Sequence, residues 1–538
     1  MPNGVKIWAA AAVLCAAMWG GCSMYRSEPG DAAGKRMVRA RKDAAHRARR
    51  IIFDNDGNEP VYYCDEATPE CLLAQRTTPL IGSQVDTIVY CTWSSGFSIF
   101  THNTKIGEVF TCTAEEPGGK RGFSKNKTQA FLDQGTDPLE IVVDFCREHD
   151  IEVFWSMRMN DIHDGWGAWY SPHLFPKLKE EHPEYLMGTA ENRPVNGSWT
   201  AVDYGCPEIR DLAFRFIEEV CRNYDVDGVQ LDFFRHLTYF RAHAMGQPVG
   251  QEELDMMTDL IRRVRDMADE VAVEKGHPIL ISVRVPDSVE LCRAVGFDIE
   301  RWMQEDLIDI LTVSGYFRLN PWETTVALAH HYDVPVWPCL SETRERDAEA
   351  KKARASLECY RARAMNAWNA GADGIYMFNY FNPTSPLWWE LGDPKTLEPL
   401  DKTYLTAARG FGNVDFWYEG GERFMNRCIL SPSRTRKLEP GRAEVIELNV
   451  GERLGGQHGV KATLRLRIAG LDSAEGLSVA LNGTELEPGP KSEAWIEYEV
   501  APGCVTQGIN RIQVTLAAGG PAGAVLEDLL LDVRHPKP

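Results

Sequence analysis

The sequence predicts an α/β protein built on a (β/α)8 TIM barrel, followed by an all-β sandwich. From residue 51 to about residue 380, short β-branched or aromatic runs alternate with longer amphipathic stretches, a pattern typical of βα units around a parallel sheet. Eight such runs occur, and eight strands favour a closed barrel. No glycine-rich phosphate loop follows any of these runs, so an open dinucleotide-binding sheet has no support.

The predicted strands span residues 51–55, 87–91, 152–158, 228–233, 279–285, 309–314, 334–340 and 374–379. The predicted helices span residues 138–149, 208–224, 254–275, 322–332 and 348–370. After about residue 430, short alternating runs are separated by turn clusters such as Asn482-Gly483, which indicates an antiparallel sandwich. We therefore assign residues 51–429 to the barrel and residues 430–538 to an accessory β-sandwich domain.

The first 50 residues have the composition of an export signal and a tether. An apolar run is followed by two glycines and Cys22, which resembles the lipobox of bacterial lipoproteins, except that Trp19 replaces the usual aliphatic residue. We expect residues 1–22 to be a signal peptide and Cys22 to carry a lipid that anchors the chain in the cell envelope, with plain secretion as the alternative. Residues 23–50 hold nine Lys or Arg against three acidic residues and few large apolar ones, which predicts a basic flexible linker.

The charge balance and the cysteine and histidine spacing exclude several classes of partner. Residues 51–538 hold 48 basic and 75 acidic side chains, and such a surface excludes nucleic acid, whose phosphates need a basic footprint. The cysteines after Cys22 form no C-x-x-C pair. His163, His173 and His236 lack ligand spacing, so we expect no metal and no cofactor.

The most informative strand end is the fourth, where residues 227–235 read D-G-V-Q-L-D-F-F-R. An apolar run that ends in a carboxylate places Asp232 at the mouth of the barrel. This element resembles the D-G-(I/V)-x-(L/F)-D-(Y/F)-x-R segment of the glycosyl-hydrolase-like ten family, and the resemblance is good over residues 140–240. It implies hydrolysis of glycosidic bonds in a sugar polymer. The alternative interpretation makes Asp232 a buried partner of Arg235.

A glycosidase usually needs two carboxyl groups, one on each side of the scissile bond. Glu342 follows the seventh predicted strand and Asp287 follows the fifth, so both are candidate catalytic partners of Asp232. Either one could instead cap the next helix. A non-catalytic glycan-binding surface lipoprotein is the rival hypothesis, because a fold alone does not establish an activity.

Arginines, tryptophans and polar residues near the other strand ends are candidate substrate-binding groups. The arginines would either keep the catalytic carboxylates ionised or bind an anionic, for example sulfated, polysaccharide. Tryptophan rings stack on sugar faces. The candidates are Arg158, Asn160, Asp161, Arg235, Arg284, Arg318, Arg344, Trp93, Trp166 and Trp169.

Overall fold

Eight parallel strands close into a barrel in the computed structural model, which describes residues 32–119, 122–409, 414–471, 473–492, 495–521 and 523–536. The strands pair in chain order, and the last one closes on the first. They are β1 (Ile51–Asn55), β2 (Val85–Tyr90), β3 (Glu152–Arg158), β4 (Gly228–Asp232), β5 (Leu280–Val285), β6 (Ile310–Val313), β7 (Val336–Ser341) and β8 (Ile375–Phe378). Each strand lies close to its predicted bounds, and the predicted fold class is confirmed.

The barrel strands are buried on both faces because helices cover the outside and side chains fill the inside. One cluster of buried side chains takes Ile52, Phe154 and Leu280 from three different strands. Gln230 is a polar member of the interior, and its Oε1 accepts a hydrogen bond from the Tyr376 hydroxyl at 2.8 Å. Because side chains alternate along a strand, the residue two positions after an inward-facing one also faces inward. Near the C-terminal end of a strand, such a residue points into the mouth of the barrel.

The helices return the chain from one strand to the next near the predicted positions. The predicted helix over residues 348–370 is two helices, because Ser356 accepts a hydrogen bond from the Cys359 amide and caps the second. No helix among the described residues is long and apolar enough to cross a membrane. The α-helices are Ala32–Ala45, Glu59–Tyr62, Pro69–Ala74, Thr128–Asp133, Pro138–Glu148, Lys177–Glu181, Pro207–Asn223, Arg241–Ala244, Gln251–Lys275, Val289–Val295, Ile299–Gln304, Trp322–His331, Ala348–Arg354, Leu357–Asn369, Pro394–Leu397 and Val414–Trp417.

The stretch from residue 32 to residue 50 is folded, so the predicted flexible linker is wrong there. Helix Ala32–Ala45 packs against helix Gln251–Lys275, and Ala45 joins the cluster inside the barrel. Arg49 makes two hydrogen bonds of 2.7 Å to the carboxylate of Glu152. The basic composition was misleading because the counter-charges are supplied from distant parts of the chain. The predicted signal peptide and Cys22 lie outside the described residues.

Replacing Arg49 with Ala should lower the free energy of unfolding by about 3–5 kcal/mol, because the Glu152 carboxylate would remain buried without its counter-charge. The two side chains are only 1% and 4% exposed. Denaturant unfolding measures the change. Arg39→Ala is the matched control, since the Arg39 side chain is 87% exposed beside Asp43, and it should cost at most about 1 kcal/mol. Equal losses in the two variants would contradict a buried ion pair.

Two antiparallel sheets form the predicted C-terminal sandwich. Strand Lys402–Leu405 pairs with Val525–Arg534, so the sandwich includes a strand that precedes residue 430. Arg354 joins barrel and sandwich through hydrogen bonds of 2.7 and 2.8 Å to Asp528. The other strands of the two sheets are Arg436–Lys437, Ala443–Val450, Lys461–Ala469, Leu477–Leu481, Thr484–Leu486, Pro488–Ser492, Trp495–Val500 and Gly508–Leu516, and a separate pair is formed by Ile99–Phe100 and Glu108–Val109.

Candidate active site

Side-chain alternation along the barrel strands directs four charged residues into the mouth. Asp54, Arg158, Asp232 and Arg284 each follow, by two positions, a side chain that lies inside the barrel. In the sheet register, Asp232 on β4 is paired with Arg158 on β3 and with Arg284 on β5. All four residues are buried, with at most 7% of each exposed. The mouth therefore contains two carboxyl groups and two guanidinium groups at the level where the strands end.

Asp232 is paired with Arg284 on the next strand and not with Arg235, the partner that sequence proximity suggested. Arg284 donates from Nε to Oδ1 at 2.8 Å and from Nη2 to Oδ2 at 2.5 Å. Oδ1 also accepts the backbone amides of Phe234 and Arg235 at 3.1 and 2.9 Å. Oδ2 has Arg284 as its hydrogen-bond donor and faces the mouth with capacity for a further partner.

Asp54, at the end of β1, is a site residue that the sequence analysis missed. Burial raises the pKa of Asp54 to about 7; Arg284 opposes this shift, and the negative charges of Asp56 and Asp232 add to it. The carboxyl is therefore protonated at mildly acidic pH, which suits a proton donor. The signal is present in the sequence, because Asp54 ends a buried strand as Asp232 does, but residues 54–57 read D-N-D-G, which is equally typical of a turn.

Arg158 is paired with carboxylates of the protein. Its Nη2 donates to Asp56 Oδ1 at 2.6 Å, and its Nη1 lies 3.5 Å from Asp161 Oδ2. Burial alone would raise the pKa of Asp56, but Arg158 and Arg235 bring it well below its ordinary range. Asp56 is therefore a carboxylate two residues from Asp54, so the two acids differ in protonation at mildly acidic pH.

A cavity of about 1150 Å³ lies above the mouth, between the barrel loops and the sandwich. Trp166 lines it with 44% of the residue exposed and stacks on Phe416 with ring centroids 5.6 Å apart. An exposed indole ring of this kind can stack on the face of a sugar. Arg467 and Glu527 from the sandwich also line the cavity, so both parts of the chain form its wall.

Three predicted arginines differ in their availability at this cavity. Arg235 lines it, and within the described part of the chain its Nε and Nη1 are buried without a hydrogen-bond partner. Arg344 lines it with its side chain 59% exposed and paired with Glu342 at 3.1 Å. Arg318 lines a different, smaller cavity of about 120 Å³, where its guanidinium lies 4.4 Å from the Trp322 ring. The structure thus places Arg235 and Arg344, but not Arg318, at the mouth.

The two predicted partners of Asp232 lie in unlike positions. Glu342 has a side chain 43% exposed in the loop after β7 and pairs with Arg344. Asp287 is 3% exposed, and its carboxylate accepts the backbone amides of Leu319 and Asn320 at 2.9–3.0 Å. These bonds fix the loop after β6, so Asp287 has a structural role.

Three other predicted binding residues are used within the loops. Asn160 is fully buried and donates to the carbonyls of Val202 and Thr238 at 2.8 and 2.5 Å. Trp93 is 8% exposed in a small aromatic cluster, and Trp169 packs on Phe123 of that cluster with centroids 4.8 Å apart. These side chains do not line the cavity. Their polar and apolar groups make contacts within the loops that surround it.

Asp161, His163 and His236 form a cluster that the sequence spacing did not predict, with one potential ligand atom of each within 4.8 Å of the others. Two of the potential ligand atoms hydrogen-bond to each other, and a third accepts a backbone amide. His163 Nδ1 lies 2.7 Å from Asp161 Oδ2, and the Ile162 amide donates to His236 Nδ1 at 3.2 Å. Burial lowers the pKa of His236 well below its ordinary value. The cluster is therefore a hydrogen-bonded Asp–His pair beside a neutral imidazole, and His163 lines the cavity.

The family to which part of the chain is similar matches the segment around β3 and β4. Residues 118–253 match the family described as Glycosyl hydrolase-like 10. The match contains Arg158, Asp232 and Arg235, which confirms the resemblance for this part of the chain, whereas Asp54 and Arg284 lie outside it. No curated protein matches the chain.

Solved structures of carbohydrate-active enzymes are similar to this chain at low identity. A cycloisomaltooligosaccharide glucanotransferase from Paenibacillus sp. is 10% identical over 90% of this chain and 57% of its own, with a TM-score of 0.35. An alpha-L-fucosidase from Paenibacillus thiaminolyticus is 14% identical over 65% of this chain and 48% of its own, with a TM-score of 0.38. A maltogenic alpha-amylase from Thermotoga neapolitana is 11% identical over 87% of this chain and 98% of its own, with a TM-score of 0.33. The chain thus spans less than two thirds of the first two.

Proposed function

We propose that the chain is a glycoside hydrolase that acts on a polysaccharide, preferably an acidic one, and that Asp54 and Asp232 are its carboxyl pair. The observation that carries the proposal is the contrast between these two buried acids across one barrel mouth. Asp54 has a pKa of about 7, whereas Asp232 accepts two hydrogen bonds from the Arg284 guanidinium. A carboxyl that keeps its proton up to about pH 7 suits a proton donor, and a second carboxyl at the same barrel mouth can serve as nucleophile or base.

In this proposal, the protonated Asp54 donates its proton to the leaving oxygen as the glycosidic C–O bond breaks. Asp232 Oδ2 either attacks the anomeric carbon, giving a glycosyl ester that water then hydrolyses, or takes a proton from the water that attacks this carbon. Arg284 lies close to both acids and holds Asp232 in place. Trp166 offers a stacking face on the cavity wall. The family match over residues 118–253 supports the choice of sugar chemistry. The lipid anchor at Cys22 and the place in the cell envelope stay predictions from the sequence.

The hydrogen bonding of Asp232 also favours a second candidate, a non-catalytic glycan-binding protein. Oδ1 already accepts two backbone amides and one guanidinium hydrogen bond, which would suffice for a purely structural carboxylate. In that case the cavity would bind a glycan without cleaving it.

Incubation of the protein with neutral, uronic and sulfated polysaccharides, followed by measurement of new reducing ends, separates the two candidates. We expect new reducing ends from at least one acidic polymer, and a chelator should leave the rate unchanged. Glu342→Gln and Asp287→Asn test the partners predicted from sequence, and neither should match Asp54→Asn in severity. Binding without new reducing ends would favour the glycan-binding protein.

A further inference from the structure

Three guanidinium groups surround the ring of Tyr316, in the loop after β6. The guanidinium carbons of Arg235, Arg344 and Arg409 lie 5.8, 5.7 and 5.1 Å from the centre of this ring. All four residues line the large cavity. Like charges repel, so such a group is stable only where anions or π-faces offset the repulsion.

Two of these arginines have buried N–H groups that no described residue accepts. Arg235 is 8% exposed, and its Nε and Nη1 lack a partner. The side chain of Arg409 is also 8% exposed, and it donates to the backbone carbonyls of Tyr316 and Glu342 at 3.0 and 2.8 Å. Its Nη2 makes no hydrogen bond and lies 3.8 Å from the partly exposed Glu342 carboxylate. Buried donors are nearly always satisfied, so these N–H groups indicate that an acceptor enters the cavity.

The charge of the cavity wall indicates that this acceptor is an anion. Five arginines and three acidic residues line the cavity, although the whole chain has a net charge of −20. Arg467 is already paired with Asp347 and Glu527, at 3.0 Å each. Burial and the neighbouring Arg344 lower the pKa of Arg409 to about 10, which is a cost that a bound anion would relieve.

We propose that Arg235, Arg344 and Arg409 form a subsite for an acidic substituent of the sugar, either a carboxylate or a sulfate ester. The inference rests on the proposed glycoside hydrolase function, and it assigns the acidic group to a defined place around Tyr316. Guanidinium groups bind the paired oxygens of both anions in bidentate fashion. An acidic group held there would place its sugar in the cavity that Trp166 also lines.

Calorimetric titration with glucuronate, glucose 6-sulfate and glucose tests the subsite without any need for turnover. The wild-type protein should bind at least one acidic sugar about tenfold or more tightly than glucose. Arg235→Gln and Arg409→Gln should each remove that advantage, since one hydrogen bond to a charged group accounts for about a tenfold change. Arg344→Gln should leave folding unaffected, because the Arg344 side chain is exposed. Arg263→Gln, an exposed arginine paired with Asp211 on the outside of the barrel, makes the same charge change and should have no effect.

The outcomes separate this proposal from the hydrolase proposal. A preference for glucuronate identifies a carboxylate, and a preference for glucose 6-sulfate identifies a sulfate ester. Equal binding of all three sugars, or a preference that survives Arg344→Gln and Arg409→Gln in folded protein, would overturn the subsite and leave the carboxyl pair untouched. Arginine-dependent binding of acidic sugars without cleavage of any polymer would support the subsite and refute the hydrolase.

Discussion

Asp232→Asn is expected to lower turnover by at least about 10²-fold and to destabilise the barrel by about 3–5 kcal/mol. The first effect follows from the loss of a nucleophile or base, for which 10²-fold is a lower bound. The second follows because Arg284, only 1% exposed, would keep a buried positive charge without its counter-charge. Turnover must therefore be measured on folded protein, with denaturant unfolding recorded in parallel.

A double variant distinguishes a catalytic Asp232 from one that only neutralises Arg284. Asp232→Asn combined with Arg284→Met removes both members of the ion pair, and the coupling of the two changes should restore much of the stability. If Asp232 is catalytic, turnover stays low in the restabilised double variant. Recovery of turnover together with stability would mean that Asp232 is a structural partner of Arg284 and that a different carboxylate acts in the reaction.

The barrel could be predicted because its strands carry a local signal. Each strand is a short apolar run buried on both faces, and the helices between them have a different period, so the element order is visible without tertiary information. Asp232 could be predicted in the same way, because it is a carboxylate at the end of such an apolar run. Asp54 ends β1 in the same manner, but the D-N-D-G sequence around it is also typical of a turn, and the two interpretations could not be separated locally.

The partners of the charged residues could not be predicted because they are far apart in sequence. Arg235 lies three positions after Asp232, yet Arg284, 52 positions away on the next strand, makes the bidentate pair. The basic N-terminal segment is a second example, since Arg49 is buried against Glu152 of β3, 103 positions later. Spacing along the chain does not encode which side chains of these elements meet, so charge composition alone predicted a solvated tether.

The cavity also could not be predicted, because two predicted domains form it together. Arg467 and Glu527 lie on sandwich strands, and Arg409 follows the sandwich strand Lys402–Leu405. The arginines predicted from the sequence therefore lie at barrel strand ends and loops and do not include Arg409. A sandwich interpreted as an accessory domain is in fact part of the wall above the barrel mouth.

Asp54→Asn should lower turnover by at least about 10²-fold and remove the alkaline limb of the pH profile of turnover. The folded-state pKa is about 7, above the value of about 3.9 for an unfolded Asp, so Asp54 is protonated in the folded protein below pH 7. Activity that depends on this proton should fall as the pH rises through 7. The folded state binds the proton more tightly than the unfolded state, so stability should decline as the pH rises from about 4 to 7, and Asp54→Asn should abolish that decline.

Asp56→Asn is the matched comparison, because it removes a neighbouring negative charge and leaves Asp54 in place. The Asp56 charge helps to raise the pKa of Asp54, so its loss should move the alkaline limb to lower pH without removing it. The variant also leaves Arg158 without its 2.6 Å partner, so its stability should be recorded in parallel. Turnover measured from pH 4 to pH 9 in the three proteins decides the assignment. An alkaline limb near pH 7 that persists in Asp54→Asn would show that another group donates the proton, and His163, oriented by Asp161 on the cavity wall, would be the next residue to replace.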